Sequence, residues 1–286
     1  MIQALHLAPN SEPSNSPGQQ QMCSSITWPW AQEQIPSARV SSATCATIPP
    51  GATDIRVCRG VVSRGGAAES ELAGVDIDLA KILHASEEVR VPAPLPPSGS
   101  ARAISRISEV WDKGKAAVVV LETSVTASDG APLWTQRRSI FARGEGGFGG
   151  ERGPSGGGSS AAAPERAPDV EVDIPVLPQQ ALLYRLCGDR NPLHSDPEFA
   201  AAAGFPRPIL HGLCTYGMTC KTMVDAMLDG DAGAVASFGA RFSGVAFPGE
   251  TLKAGIWKAD GRLLASVVAP ARDNAVVLSG VELVPA

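Results

Sequence analysis

The chain contains no apolar run near the ~20 residues needed to cross a bilayer, so no spanning helix is expected. It has no block of like charge either: 24 Lys and Arg are interspersed with 29 Asp and Glu, for a net charge of −5. That balance leaves no footprint for a nucleic-acid or membrane partner, and neither is expected. The six cysteines (Cys23, Cys45, Cys58, Cys187, Cys214, Cys220) form no CxxC pair and no His/Cys array with zinc spacing. Thiols in a reducing compartment follow, and a metal site does not. There is no GxSxG elbow to present a nucleophilic serine. The glycine-rich stretch 144–159 opens no helix, so a dinucleotide or phosphate loop is not expected. The opening MIQALHLAPNSEPSNSPGQQ has neither the basic start nor the apolar centre of a secretory signal, which points to the cytoplasm.

What is present is a chain of 286 residues, enough for two modest domains or one doubled domain. Residues 1–65 are rich in Ser, Pro, Gln and Thr without strand or helix periodicity, and read as an atypical, weakly ordered segment. Residues 66–148 change texture. ARAISRISEVWDKG and KAAVVVLETSVTAS are β-branched runs separated by Asp112-Lys113-Gly114, a hairpin-type turn, and APLWTQRRSIFARG supplies a third strand. The Gly, Ser, Ala and Pro residues of 144–168 predict a flexible linker, set at 149–168 between two domains. In residues 169–286, VEVDIPVLPQQALLYRLCGD predicts a strand and a short helix. LCTYGMTCKTMVDAML, with Leu213, Tyr216, Met223 and Met227 at helical spacing, predicts the one long helix. VASFGARFSGVAF, TLKAGIWKAD with RLLASVVAPA, and AVVLSGVELVP follow as strands. One helix and several antiparallel strands make an α+β pattern, the sheet curled around the helix, and the first half repeats the strands.

The chemistry sits in Gly188-Asp189-Arg190-Asn191-Pro192-Leu193-His194, which places a carboxylate, a carboxamide and an imidazole within six positions on a proline-stiffened segment. A water held between Asp189 and His194 can lose a proton to one while the other relays a proton to substrate. Asn191 could orient that water without changing charge. Gly212 opens the long helix, where unsatisfied N–H groups meet the positive end of the macrodipole and suit a developing oxyanion. His211 reads as a supporting group. His84 and His6 have no partner nearby in sequence and read as core or surface residues. Arg207 and Arg241 are candidates for the phosphates of a coenzyme A.

The string YRLCGDRNPLHSDPEFAAAAGFPRPILHGLCTYG resembles the hydratase-2 motif of the MaoC-like (R)-specific enoyl-CoA hydratases. ARFSGVAFPGETL resembles that family's strand and turn after the helix. ELAGVDIDLAKILHASEEVRVPAPLPPSG resembles its N-terminal repeat, so the likeness covers about residues 67–286. The resemblance implies a double hot-dog fold, in which only the C-terminal repeat is catalytic. It implies reversible hydration of a trans-2-enoyl-CoA to the (3R)-3-hydroxyacyl-CoA in fatty-acid metabolism, β-oxidation included. Asp189 and His194 would then hold the water, Asn191 would help to place it, and the Gly212 amide would polarise the thioester carbonyl. No cofactor or metal is implied beyond the coenzyme A of the substrate. A homodimer is plausible in such a family. Two other readings stand beside it: dehydration of a (3R)-hydroxyacyl-thioester on coenzyme A or acyl carrier protein, and a non-catalytic acyl-CoA-binding partner subunit. Residues 1–65 depart from the family pattern, and translation out of frame, restored near Ala67, is the reason expected for it.

Overall fold

The computed structural model describes residues 22–28, 82–93, 95, 99–154 and 162–286. From Gly99 onward, alternating and β-branched segments form strands where their sequences predict them, whereas the strand Met22–Trp28 falls in the segment 1–65 that shows no strand periodicity. In the first half these are β1 (Met22–Trp28), β2 (Ile82–Arg90), β3 (Gly99–Asp112), β4 (Ala116–Ala127) and β5 (Pro132–Arg143). In the second half they are β6 (Val170–Pro175), β7 (Val235–Phe242), β8 (Thr251–Ala259), β9 (Arg262–Ala269) and β10 (Ala275–Pro285). Three helices lie between β6 and β7: α1 (Gln180–Tyr184), α2 (Pro197–Ala202) and α3 (Gly212–Met227). Among the described residues no helix is long and apolar enough to cross a membrane. Of residues 1–65 only β1 is described, so the expected frame shift lies outside the described residues.

The ten strands make one antiparallel sheet in the order β1-β3-β4-β5-β2-β7-β10-β9-β8-β6. Read outward from the middle, the two halves have the same order: β2-β5-β4-β3-β1 on one side, β7-β10-β9-β8-β6 on the other. The halves meet where β2 pairs with β7, from Ser86↔Arg241 through Glu88↔Gly239 to Arg90↔Ser237. Glu88 and Gly239 therefore sit at the local pseudo-two-fold. Two repeats of a curved sheet, one wrapped on a central helix and both joined edge to edge, are the double hot-dog arrangement.

Helix α3 is what the C-terminal half of the sheet wraps. Ten of its sixteen residues are buried, among them Leu213, Tyr216, Met223 and Val224. Tyr216, Met223, Phe238, Leu252, Ile256, Leu278 and Leu283 form the densest part of this core. Because strand side chains alternate, Phe238, Ala240 and Phe242 of β7 face α3, and Ser237, Gly239 and Arg241 face away from it.

The expectation of a flexible linker from residue 144 is corrected for 144–154. This stretch is strapped onto the β3–β4 turn by one carboxylate. Asp112 Oδ1 accepts from the N–H of Gly114 at 2.7 Å and of Gly147 at 2.8 Å, and Oδ2 accepts from Gly149 at 2.8 Å. The Asp112 amide donates in turn to the Glu151 carbonyl at 2.7 Å. The glycines serve geometry here. Gly149 has φ 81°, and at Gly153 a side chain would run into the Trp111 ring. Composition alone could not separate glycine used for close approach from glycine used for flexibility.

Candidate active site

The loop between β6 and α3 is built from short, self-capped turns. The 3₁₀ turn Arg185–Cys187 ends on Gly188, whose φ of 117° costs glycine little and redirects the chain. Asp189 Oδ1 accepts from the Asn191 N–H at 3.1 Å, and Asn191 Oδ1 from the Leu193 N–H at 3.0 Å. These successive Asx turns set up a second 3₁₀ turn, Pro192–His194, with the proline at its start. Asn191 thus caps the turn that carries His194. Arg185 Nη1 donates to Ser195 Oγ at 2.6 Å and ties the loop ends together. Asp196 Oδ1 caps α2 through Glu198 and Phe199.

His194 Nδ1 lies 2.9 Å from the Ile209 carbonyl oxygen. A carbonyl only accepts, so Nδ1 carries the proton, and the neutral ring has its lone pair on Nε2. His211, 1% exposed, donates from Nε2 to the Asp189 backbone carbonyl at 3.3 Å. Its ring stacks on His194 with centroids 3.7 Å apart and planes 29° apart, and Tyr184 tilts against it at 4.7 Å. Burial, and next the charge of a protonated His194, push the His211 pKa down to about 4, so this ring is neutral near pH 7. One buried ring therefore touches both members of the predicted pair.

A carboxylate oxygen of Asp189 and one ring nitrogen each of His194 and His211 lie within 4.8 Å of one another. Two acceptors sharing a water sit about 4.6 Å apart, given bonds of about 2.8 Å and a tetrahedral angle. A zinc ion would need in-plane lone pairs converging about 2 Å from each nitrogen. Near-parallel stacked rings do not converge at that range, and the cluster suits a water.

Gly212 is the first residue of α3, after His211 as N-cap. The His211 carbonyl already accepts from Cys214 at 3.1 Å and Thr215 at 3.2 Å, while the Gly212 N–H has no intrahelical acceptor. A Cβ at position 212 would lie 3.1 Å from Cδ1 and Cε1 of Phe242. Gly212 thus packs closely on Phe242, and its N–H is the first of the helix.

The two arginines part company. Arg207 is exposed, two residues before Ile209, with Nη1 donating to the Pro248 carbonyl at 2.8 Å and its guanidinium 4.8 Å from the Phe247 ring. Arg241 is not brought to the site. Strand alternation turns it to the sheet face opposite α3, into a groove with Ser86, Glu88, Arg137 and Glu282. Sequence reasoning ranked His211 as support and gave no role to the Ile209 carbonyl or to Phe242. The signal for His211 was its place between the apolar Ile209-Leu210 and the helix start, where a polar ring is buried.

Two family profiles match the chain: "MaoC like domain" over residues 159–277 and "MFE-2 hydratase 2 N-terminal domain" over residues 48–144. The second begins inside the segment 1–65 that the sequence pattern set apart. The chain is 74% identical over 216 residues to Enoyl-CoA hydratase ChsH3 of Mycobacterium tuberculosis, covering 76% of this chain and 74% of that protein. It is 44% identical over 185 residues to 3-hydroxyacyl-thioester dehydratase Y of the same organism, covering 63% of each. Among solved structures, a MaoC-like dehydratase from Phytophthora capsici superposes with a TM-score of 0.69 at 33% identity, covering 75% of this chain and 72% of its own.

Proposed function

This chain belongs to the MaoC-like, hydratase-2 family, and on that premise we propose that it adds water reversibly across the double bond of a trans-2-enoyl-CoA, giving the (3R)-3-hydroxyacyl-CoA. It is an enzyme, a hydro-lyase. The observation that carries the residue roles is the cluster of Asp189, His194 and His211, whose carboxylate oxygen and ring nitrogens lie within 4.8 Å of one another. A water donating to Asp189 and His194 is activated at His194 Nε2, the lone-pair nitrogen fixed by the Nδ1–H bond to Ile209. One O–H bond breaks and its proton passes to His194, the oxygen bonds to C3 as the C2–C3 π bond opens, and the Asp189–His194 pair returns a proton to C2 on the same face. Asn191 holds the turn, and the Gly212 amide, at the positive end of α3, meets the thioester oxygen as its charge grows. Arg207 is the group proposed for the coenzyme A phosphates. Fatty-acid breakdown in the cytoplasm, and association as a homodimer, belong to the same proposal.

The test is a hydratase assay on crotonyl-CoA and longer enoyl-CoA substrates with the product's chirality determined. Asp189→Asn and His194→Ala are expected to lose activity, and unchanged turnover in both would end the assignment. A second reading, physiological dehydration, draws support from the relative named as a dehydratase. Comparing rates on coenzyme A and acyl-carrier thioesters in both directions separates it.

A further inference from the structure

The non-catalytic repeat holds a buried charged cluster on the sheet face that β7 turns toward α3. A bulge shapes it. β2 pairs His84↔Ile140, then Ser86↔Ser139 and Glu87↔Arg138, so Ala85 is the extra residue. The bulge shifts the alternation by one, and His84 and Glu87, three apart, come to the same face. Glu87 is 1% exposed and takes three partners: His84 Nε2 at 2.9 Å, Arg138 Nε at 3.2 Å, and Gln136 Nε2. Burial pushes its carboxyl up, but Arg138, His84 and Gln136 outweigh this and hold it below its ordinary value. A carboxylate so fully held is an anchor. The His84 ring it grips lies against Phe242 of β7, centroids 4.6 Å apart. Phe242 in turn fills the space beside Gly212, where a Cβ would come within 3.1 Å of two of its ring carbons.

We propose that His84, anchored by Glu87 in the non-catalytic repeat, is a positioning residue for the reaction, acting through Phe242 to hold the first turn of α3 and its Gly212 amide. This rests on the reading of Gly212 as the thioester-binding donor. An oxyanion donor acts only when it is held at the place the charge develops, and a rigid ring behind a glycine with no side chain supplies that backing. The N-terminal repeat thereby contributes to catalysis without touching substrate.

The experiment is the ¹³C resonance of [1-¹³C]crotonyl-CoA bound to the full chain carrying Asp189→Asn, which slows turnover, together with kcat and KM in the unmutated background. In the Asp189→Asn parent the bound carbonyl resonance is expected well downfield of free thioester, reporting polarisation. His84→Leu and Phe242→Leu are expected to move it at least halfway back and to lower kcat about 5- to 30-fold with KM within about twofold, a fraction of the full loss of an oxyanion donor. His84→Phe, which restores a ring against Phe242, is expected to recover most of both. If His84→Leu fails to fold, His84→Gln, which keeps a donor for Glu87 and loses the ring, takes its place with the same expectation. An unmoved resonance in folded His84 and Phe242 variants overturns the positioning role while leaving Gly212 intact, even if kcat falls. No downfield shift in the parent overturns the Gly212 reading itself.

Discussion

The two repeats share a strand order yet use the same face of the sheet in opposite ways. Across the β2–β7 junction, Ala240 is paired with Glu87, and Phe238 with Val89. The β7 residues pack a largely buried helix, whereas β2 buries a carboxylate with an arginine, an imidazole and a carboxamide. A repeated fold therefore fixes where strands lie but not what its concave surface holds. The difference in chemistry comes from elsewhere: the long loop between β6 and α3, whose turns deliver Asp189, His194 and His211 to one point. Local hydrogen bonds within that loop, rather than the sheet, set its shape.

The sharpest way to break this comparison is to disable each repeat through its own buried centre. Asp189→Asn or His194→Ala should lower kcat/KM by about 10³ or more, as loss of an acid–base group does. The thermal midpoint should stay close to that of the parent, because both residues lie in a surface loop. Glu87→Ala should do the reverse. It strands Arg138 without its carboxylate, and breaking a buried pair costs about 3–5 kcal/mol. Its activity should vanish through unfolding, read as a large drop in melting temperature by scanning calorimetry. A Glu87→Ala protein that melts like the parent would mean that the cluster is not an anchor.

The next effect in size belongs to Gly212. Gly212→Pro removes the N–H at the first helical position, where proline is tolerated and where the preceding His211 has a compatible ψ of 132°. Gly212→Ala keeps the N–H and adds only the Cβ that presses on Phe242. The proline variant should lose about 10²-fold in kcat relative to the alanine variant, with steric cost largely common to both. Equal rates for the two would assign Gly212 to packing alone.

The candidate site in the C-terminal half was legible because its signal is local. Asp189, Asn191 and His194 fall within six residues, and the turns joining them are made by the residues named in the motif. Helix α3 was legible too, since its apolar spacing and its Gly212 start are contiguous. What escaped depends on register between distant segments. The partner of His84 is only three residues away, yet the pair meets because of a bulge that pairing with β5 creates. Asp112 reads as a turn residue in sequence, but it also gathers Gly147 and Gly149 from 35 and 37 residues downstream. The placement of Arg241 also depends on register. Its chemistry suits a phosphate, and a period of two places it on the face of β7 opposite Phe238 and Ala240.

Acid should separate the repeats more gently. His211 titrates at about 4 when folded against about 6.5 when unfolded, so its contribution is complete above pH 6.5 and lost as pH falls toward 4. Asp112, held down first by the amides of Gly147 and Gly114, keeps its contribution above its ordinary value of about 3.9, losing it only below that. Hydrogen exchange followed by mass spectrometry at falling pH should therefore show the 180–212 segment opening first and the 144–154 strap holding to lower pH. His211→Phe should flatten the first step. The same opening order in that variant would remove His211 from the explanation.

The smallest effect tests the two arginines. Arg207 is exposed, and an exposed ion pair is worth about 0.2–1 kcal/mol, or roughly 1.5- to 5-fold in affinity. Arg207→Ala should raise KM by that factor for an enoyl-CoA and leave KM unchanged for the matching enoyl-pantetheine, which lacks the nucleotide phosphates. Raised salt should erase the difference, since screening acts most on exposed charges. Arg241→Ala should change neither KM, because strand alternation turns that side chain to the face of β7 opposite Phe238 and Ala240. A KM increase specific to coenzyme A in the Arg241 variant would mean that the substrate's nucleotide crosses to the outer face at the β2–β7 junction. The groove where the two repeats meet would then belong to the substrate site.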